Sequence, residues 1–181
     1  LWNLIILAKK AIKMSPDDAM LQYLFGNAAF AHINDVSFIN MGAVSKKGLK
    51  AYERAVELDP TLIQAHVGLA SFYMYAPGIA GGSVKKAREI ADTVSELEGG
   101  AAQAAILRMQ IEGKEKNWDA FNKAADESIA LSQTDKDRQD ARFQAAMVLI
   151  FQGEQYEQGL TRVREIQKIA ASTGEPYRQG T

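Results

Sequence analysis

The run Ala51-Tyr52-Glu53-Arg54-Ala55-Val56-Glu57-Leu58, closed by Asp59-Pro60, restricts what this chain can fold into more than any other segment. It is made of good helix formers with apolar side chains at helical spacing, and it stops abruptly. Proline lacks the N–H that a helix interior needs, its ring clashes with the preceding turn, and it biases Asp59 out of the helical region. The same ending occurs earlier: Ala8-x-x-Ala11-Ile12-Lys13-Met14-Ser15-Pro16 matches Tyr52-x-x-Ala55-Val56-Glu57-Leu58-Asp59-Pro60 position for position. A third copy, Ala91-x-x-Val94-Ser95-Glu96-Leu97-Glu98-Gly99, ends in glycine, which closes a helix in the left-handed conformation without a Cβ clash. Recurring helix ends of this kind are the mark of a helical array.

The copies are unevenly spaced. Pro16 and Pro60 lie 44 residues apart and Pro60 and Gly99 lie 39 apart, against ~34 for a compact helix-pair repeat. The excess falls at about 32–45 and 76–82, read as inserted loops, where added length costs little entropy and stays at the surface. Periodicity predicts about nine helices, near 1–14, 17–32, 45–58, 61–75, 84–98, 101–112, 117–131, 136–152 and 155–171.

These residues resemble the tetratricopeptide (TPR) repeat family. Phe25-Gly26 and Leu69-Ala70 match the family's large-then-small pair, and Tyr73 its aromatic position. The small residue lets a partner helix approach, a role that Ala55, Ala87 and Ala91 share on the second helices. The resemblance covers roughly 8–99. Beyond Gly99 it rests on helix pairing, and Gly159 stands where a packing alanine is usual. The Pro77-Gly78-Ile79-Ala80-Gly81-Gly82 insertion is similar to a variant found in bacterial envelope proteins. The fold this resemblance implies is an all-α, right-handed α-solenoid of antiparallel helix pairs: one domain over 1–171, then a flexible tail at 172–181.

The length suffices for a buried core. Twenty-one Lys plus Arg balance 22 Asp plus Glu, so there is no basic excess to neutralise a nucleic-acid backbone. The absence of cysteine excludes disulfides and thiolate metal sites. Leu1–Ala8 is apolar but too short to cross a bilayer, and no other segment is a membrane span. The lack of cysteine and the start at Leu1 suit an exported, periplasmic bacterial protein, with a cytoplasmic setting as the alternative.

The family resemblance implies a non-enzymatic scaffold that holds a protein or peptide segment in a concave groove. The groove-facing positions correspond here to Tyr23, Asn27, Phe30, Gln64, Val67, Ser71 and Met74. The competing reading is that some of these pack beneath the inserted loops. The clamp with which some family members grip a terminal carboxylate is not reproduced, since Tyr23 and Gly68 replace its lysine and arginine. A second implied role is that of an accessory to a TRAP-type transporter, handling a small organic ligand in a pocket around Phe38, Met41 and Tyr75. The first helix is apolar nearly all round, which suggests self-association through Trp2, Ile5 and Ile6 or cover by a further helix.

Catalytic and cofactor signals are not evident. No G-x-S-x-G or H-E-x-x-H occurs, and His32 and His66 have no ligand set around them. His66 sits where the family often has tryptophan, so packing between helices is expected. Asp135, Asp137 and Asp140 open like a calcium loop but lack the glycine and the closing glutamate, which leaves a helix-capping role. The glycine-rich 76–86 stretch lacks the phosphate-loop order, and Ser83 reads as an N-cap. No metal and no cofactor are expected.

Overall fold

The computed structural model describes residues 2–31, 33 and 38–173, with only the backbone described for 2–5, 38, 39 and 173. Among these residues the chain is all-α. The helices are α1 (Trp2–Met14), α2 (Ala19–Ala31), α3 (Phe38–Leu58), α4 (Ile63–Tyr75), α5 (Val84–Glu96), α6 (Ala101–Lys114), α7 (Trp118–Leu131), α8 (Asp135–Phe151) and α9 (Tyr156–Thr173). A 3-10 turn covers Gly78–Ala80. They form two compact units, Leu1–Glu98 and Gly99–Thr181.

In the first unit the repeat is visible in the hydrogen bonds. The Ser15 N–H donates to the Ala11 carbonyl at 3.0 Å, and 44 residues on the Asp59 N–H donates to Ala55 at 2.9 Å. Asp18 N–H to Ser15 (3.3 Å) is matched by Leu62 N–H to Asp59 (3.2 Å). Gln22 Nε2 donates to the Pro16 carbonyl and His66 Nε2 to the Pro60 carbonyl, both at 2.8 Å. Each proline carbonyl is thus taken by the side chain six residues on, which ties the turn to the helix it starts. That bond also explains why His66 is buried: its ring belongs to the turn.

Two boundaries differ from expectation. Helix α3 begins at Phe38, so much of the predicted 32–45 insertion is an extension of the helix. Gly42 lowers helix propensity by about 1 kcal/mol, but nothing else in 38–44 interrupts the pattern, and one glycine does not end the helix. Helix α9 reaches Thr173, where Ser172 Oγ donates to the Ile169 carbonyl, so the first two residues of the predicted tail are helical. The remainder of that tail, His32, and the side chains of Trp2, Ile5 and Phe38 lie outside the described residues.

The core of the first unit is built round Tyr52 of α3. A Cβ added at Gly26 of α2 would stand 2.5 Å from its ring, and one at Gly68 of α4 2.7 Å. The ring therefore occupies the space that two absent side chains leave on neighbouring helices. Phe30 stacks on Tyr52 with centroids 5.5 Å apart and lies against Gly48, where an added Cβ would come within 2.6 Å. Phe72 continues the cluster, 5.5 Å from both Phe30 and Tyr73. Ala8 and Ile12 hold α1 against Phe25, Ala28 and Ala51. Ala87, Ala91 and Val94 bury one face of α5, and Ser83 caps that helix by accepting the Lys86 N–H, as anticipated.

The second unit uses the same device with other residues. Met109, Phe121, Ala125, Ala145 and Leu149 form its core, with Ile106 and Trp118 at the margin. A Cβ at Gly153 would stand 2.5 Å from the Trp118 ring, and one at Gly113 would press on Val148 and Phe121. At Gly159 an added Cβ would collide with Ile150, so the glycine that broke the alanine pattern is required by a bulky neighbour. Arg162 of α9 spans to α7, donating to Asp126 (3.0 Å) and Asn122 (2.9 Å).

Candidate functional site

The seven predicted groove residues divide into three groups. Tyr23, Asn27 and Phe30 all turn toward Tyr52. Tyr52 Oη donates to Asn27 Oδ1 at 2.7 Å, and the Tyr23 and Tyr52 centroids lie 6.1 Å apart. Burial, and secondarily the neighbouring Tyr23, push the Tyr52 phenol far above its usual range. Gln64 is exposed, and Val67 and Ser71 are half-buried on α4. Met74 is 1% exposed, so it belongs to the interior of the unit and does not line a groove. It falls inward because the helix buries a broad face there, with Ala70, Phe72 and Tyr73 covered as well.

Of the suggested small-molecule pocket, Tyr75 is exposed and Met41 half-buried, and the Phe38 side chain lies outside the described residues. Ile6 and Leu7 of α1 are exposed. The adjoining 76–83 connection is tightly held: Ala80 N–H donates to Pro77 (2.8 Å), Gly81 N–H to Gly78 (3.0 Å) and Ser83 N–H to Tyr73 (2.8 Å). Gly81 has φ +98°, which an L side chain rarely adopts, and a Cβ on Gly82 would collide with the Ala76 carbonyl. This frame holds Ile79 fully in solvent.

A recess lies in the second unit, where no groove residue was predicted. It is an open cleft of about 890 Å³ between α6 and α8, reaching the α7–α8 connection. Its apolar lining is Ile106, Phe143 and Met147, all half-buried. Gln103 and Gln144 add two primary amides that hold no hydrogen bond to another described residue. Lys136, Asp137 and Asp140 stand at its polar end.

Local chemistry explains that end. Thr134 caps α8: its Oγ1 accepts the Asp137 N–H at 3.1 Å and donates to Asp137 Oδ2 at 2.6 Å. Asp135 and Asp137 then sit in the first turn, where the helix dipole favours anions. Asp135 accepts from Arg138 at 2.6 Å, and Lys136 Nζ donates to Asp140 at 2.7 Å, which keeps the lysine charged to higher pH than usual. The cap itself is thus Thr134 and not the acids read for that role: Asp135 and Asp137 favour the first turn electrostatically, and Asp140, beyond that turn, pairs with Lys136. Among the described residues no group of three or more potential ligands could hold a metal ion, and no helix is long and apolar enough to cross a membrane.

A sequence signal for the cleft existed. Gln103-x-x-Ile106 and Gln144-x-x-Met147 repeat one pattern 41 residues apart, on the two helices that face each other across it. No family model and no curated protein matches the chain.

Proposed function

We propose that the chain is a non-enzymatic protein-binding module, its units built of TPR-like helix pairs, and that the α6–α8 cleft holds an extended protein segment. The observation that carries this is the pairing of two amides, Gln103 and Gln144, that hold no hydrogen bond to another described residue, with the apolar floor of Ile106, Phe143 and Met147. A primary amide both donates and accepts, which matches the alternating N–H and C=O groups of an extended backbone. Apolar side chains beside it take up every second side chain of such a segment. The helix-pair reading draws on the 44-residue recurrence of hydrogen bonds across Pro16 and Pro60.

Panning a random-nonamer display library against the immobilised chain tests the proposal. Enriched peptides should lose at least about tenfold in affinity for Phe143→Ala/Met147→Ala, as expected when central apolar anchors are truncated. Gln103→Ala/Gln144→Ala, which removes no core volume, should weaken them as well. A library that yields no binder, or binders indifferent to both pairs, overturns the reading.

A further inference from the structure

We infer that the segment received by the α6–α8 cleft carries a basic side chain, placed against Asp137 beside the Lys136–Asp140 pair; this rests on the cleft being the binding site. The cleft lining holds one cation and two carboxylates, Lys136 against Asp137 and Asp140. Lys136 is hydrogen-bonded to Asp140 at 2.7 Å and feels the Asp137 charge more weakly, so a single cation faces both carboxylates. The hydrogen bond that Asp137 accepts comes from Thr134, a neutral hydroxyl, so the Asp137 charge is not cancelled by it. The nearby cation Arg138 is engaged elsewhere, with Asp135 and the Ser132 carbonyl. The positive end of the α8 dipole offsets part of the excess but supplies no cation that a guest would have to displace.

A lysine or arginine on the guest would therefore find a carboxylate ready for a charge-assisted hydrogen bond, next to an apolar floor that can take its methylene stem. A glutamate at the same place would meet two carboxylates. Like-charge contacts at a binding surface select partners more than they set affinity, so the effect belongs to the choice of segment.

Two nonamer libraries, alike except for a central residue fixed as Lys or as Glu, are panned against the full chain. The best Lys peptide and its Lys→Glu twin are then compared by fluorescence anisotropy. The Lys library should supply the binders and the twin should bind roughly two- to fivefold more weakly, a margin typical of exposed charge pairs and shrinking as salt is added. The informative variant is Asp137→Asn with Asp140→Asn. Asparagine keeps the oxygen that accepts from Thr134, so the cap persists, while Lys136 becomes the charge left in the lining and the preference should turn toward the Glu twin. Equal affinity of the twins for the unsubstituted chain, or a Lys preference that survives both substitutions, overturns the inference while the cleft reading stands. Binding indifferent to Phe143→Ala/Met147→Ala removes both.

Discussion

Tyr52 of α3 donates its phenolic hydrogen to the amide oxygen of Asn27 on α2, 2.7 Å away, while its ring rests where Gly26 and Gly68 have no side chains. One residue thereby joins three helices, by a directional bond at its tip and close packing along its face. Tyr52→Phe keeps the packing and removes the bond. Because Asn27 is half-buried and partly able to recruit water, the cost should be about 1 kcal/mol, measured by urea denaturation. A variant as stable as the original would show that the bond contributes nothing net.

The same tyrosine gives the stability a pH dependence. Its phenol is pushed above the ordinary value near 10 by burial. Stability from the neutral phenol is fully present below the unfolded value and is lost as pH rises beyond it, since only the unfolded chain releases the proton readily. Melting temperatures taken from pH 8 to 11 should fall more steeply for the natural chain than for Tyr52→Phe. Parallel curves would refute the assignment.

Glycines inside the helices separate by what they face. Gly26→Ala and Gly68→Ala each place a methyl group within 2.7 Å of the Tyr52 ring and should destabilise by roughly 1–3 kcal/mol through overpacking. Gly42→Ala, with nothing within 4 Å, should stabilise by about 0.5–1 kcal/mol through helix propensity alone. Opposite signs in one thermal-melt series would establish the distinction, and a common sign would dissolve it.

Met74, which resemblance placed in a groove, should behave as a core residue. Met74→Ala removes a side chain that is 1% exposed and should cost about 2–5 kcal/mol. The exposed Gln64→Ala should stay within about 0.5 kcal/mol of the original. Chemical denaturation of both variants decides the matter, since a tolerant Met74→Ala would restore the methionine to the surface.

Arg162 is a partly buried tie, its side chain 12% exposed and its two partners both on α7. A double-mutant cycle with Arg162→Ala and Asp126→Ala should give a coupling of about 0.5–1 kcal/mol that declines with added salt, because Asp126 is largely exposed. Zero coupling at low salt would mean that the contact is geometric only.

Much of the helical layout was legible because helix ends carry local chemistry. Pro16, Pro60 and Ser83 each announce a boundary by what their own backbone or hydroxyl can do, and buried alanines such as Ala55, Ala87 and Ala91 declare a packing face. The start of α3 was obscured because the excess over a compact repeat was read as an inserted loop at 32–45, whereas from Phe38 on it lengthens the helix. Tyr52 was hidden for a different reason. A ring that fits where two other helices lack a Cβ is a relation in space, and neither partner marks it locally. The cleft was missed because Gln103 and Gln144 are ordinary helix formers; their shared spacing gains meaning once α6 and α8 are seen to face each other.

The connection that holds Ile79 in solvent has a practical corollary. Glycines 81 and 82 fix the backbone through demands that do not involve position 79, and the chain has no cysteine of its own. Ile79→Cys would thus install a lone thiol on a stiff, outward-pointing post, suited to a fluorophore or spin label whose motion reports the first unit as a whole.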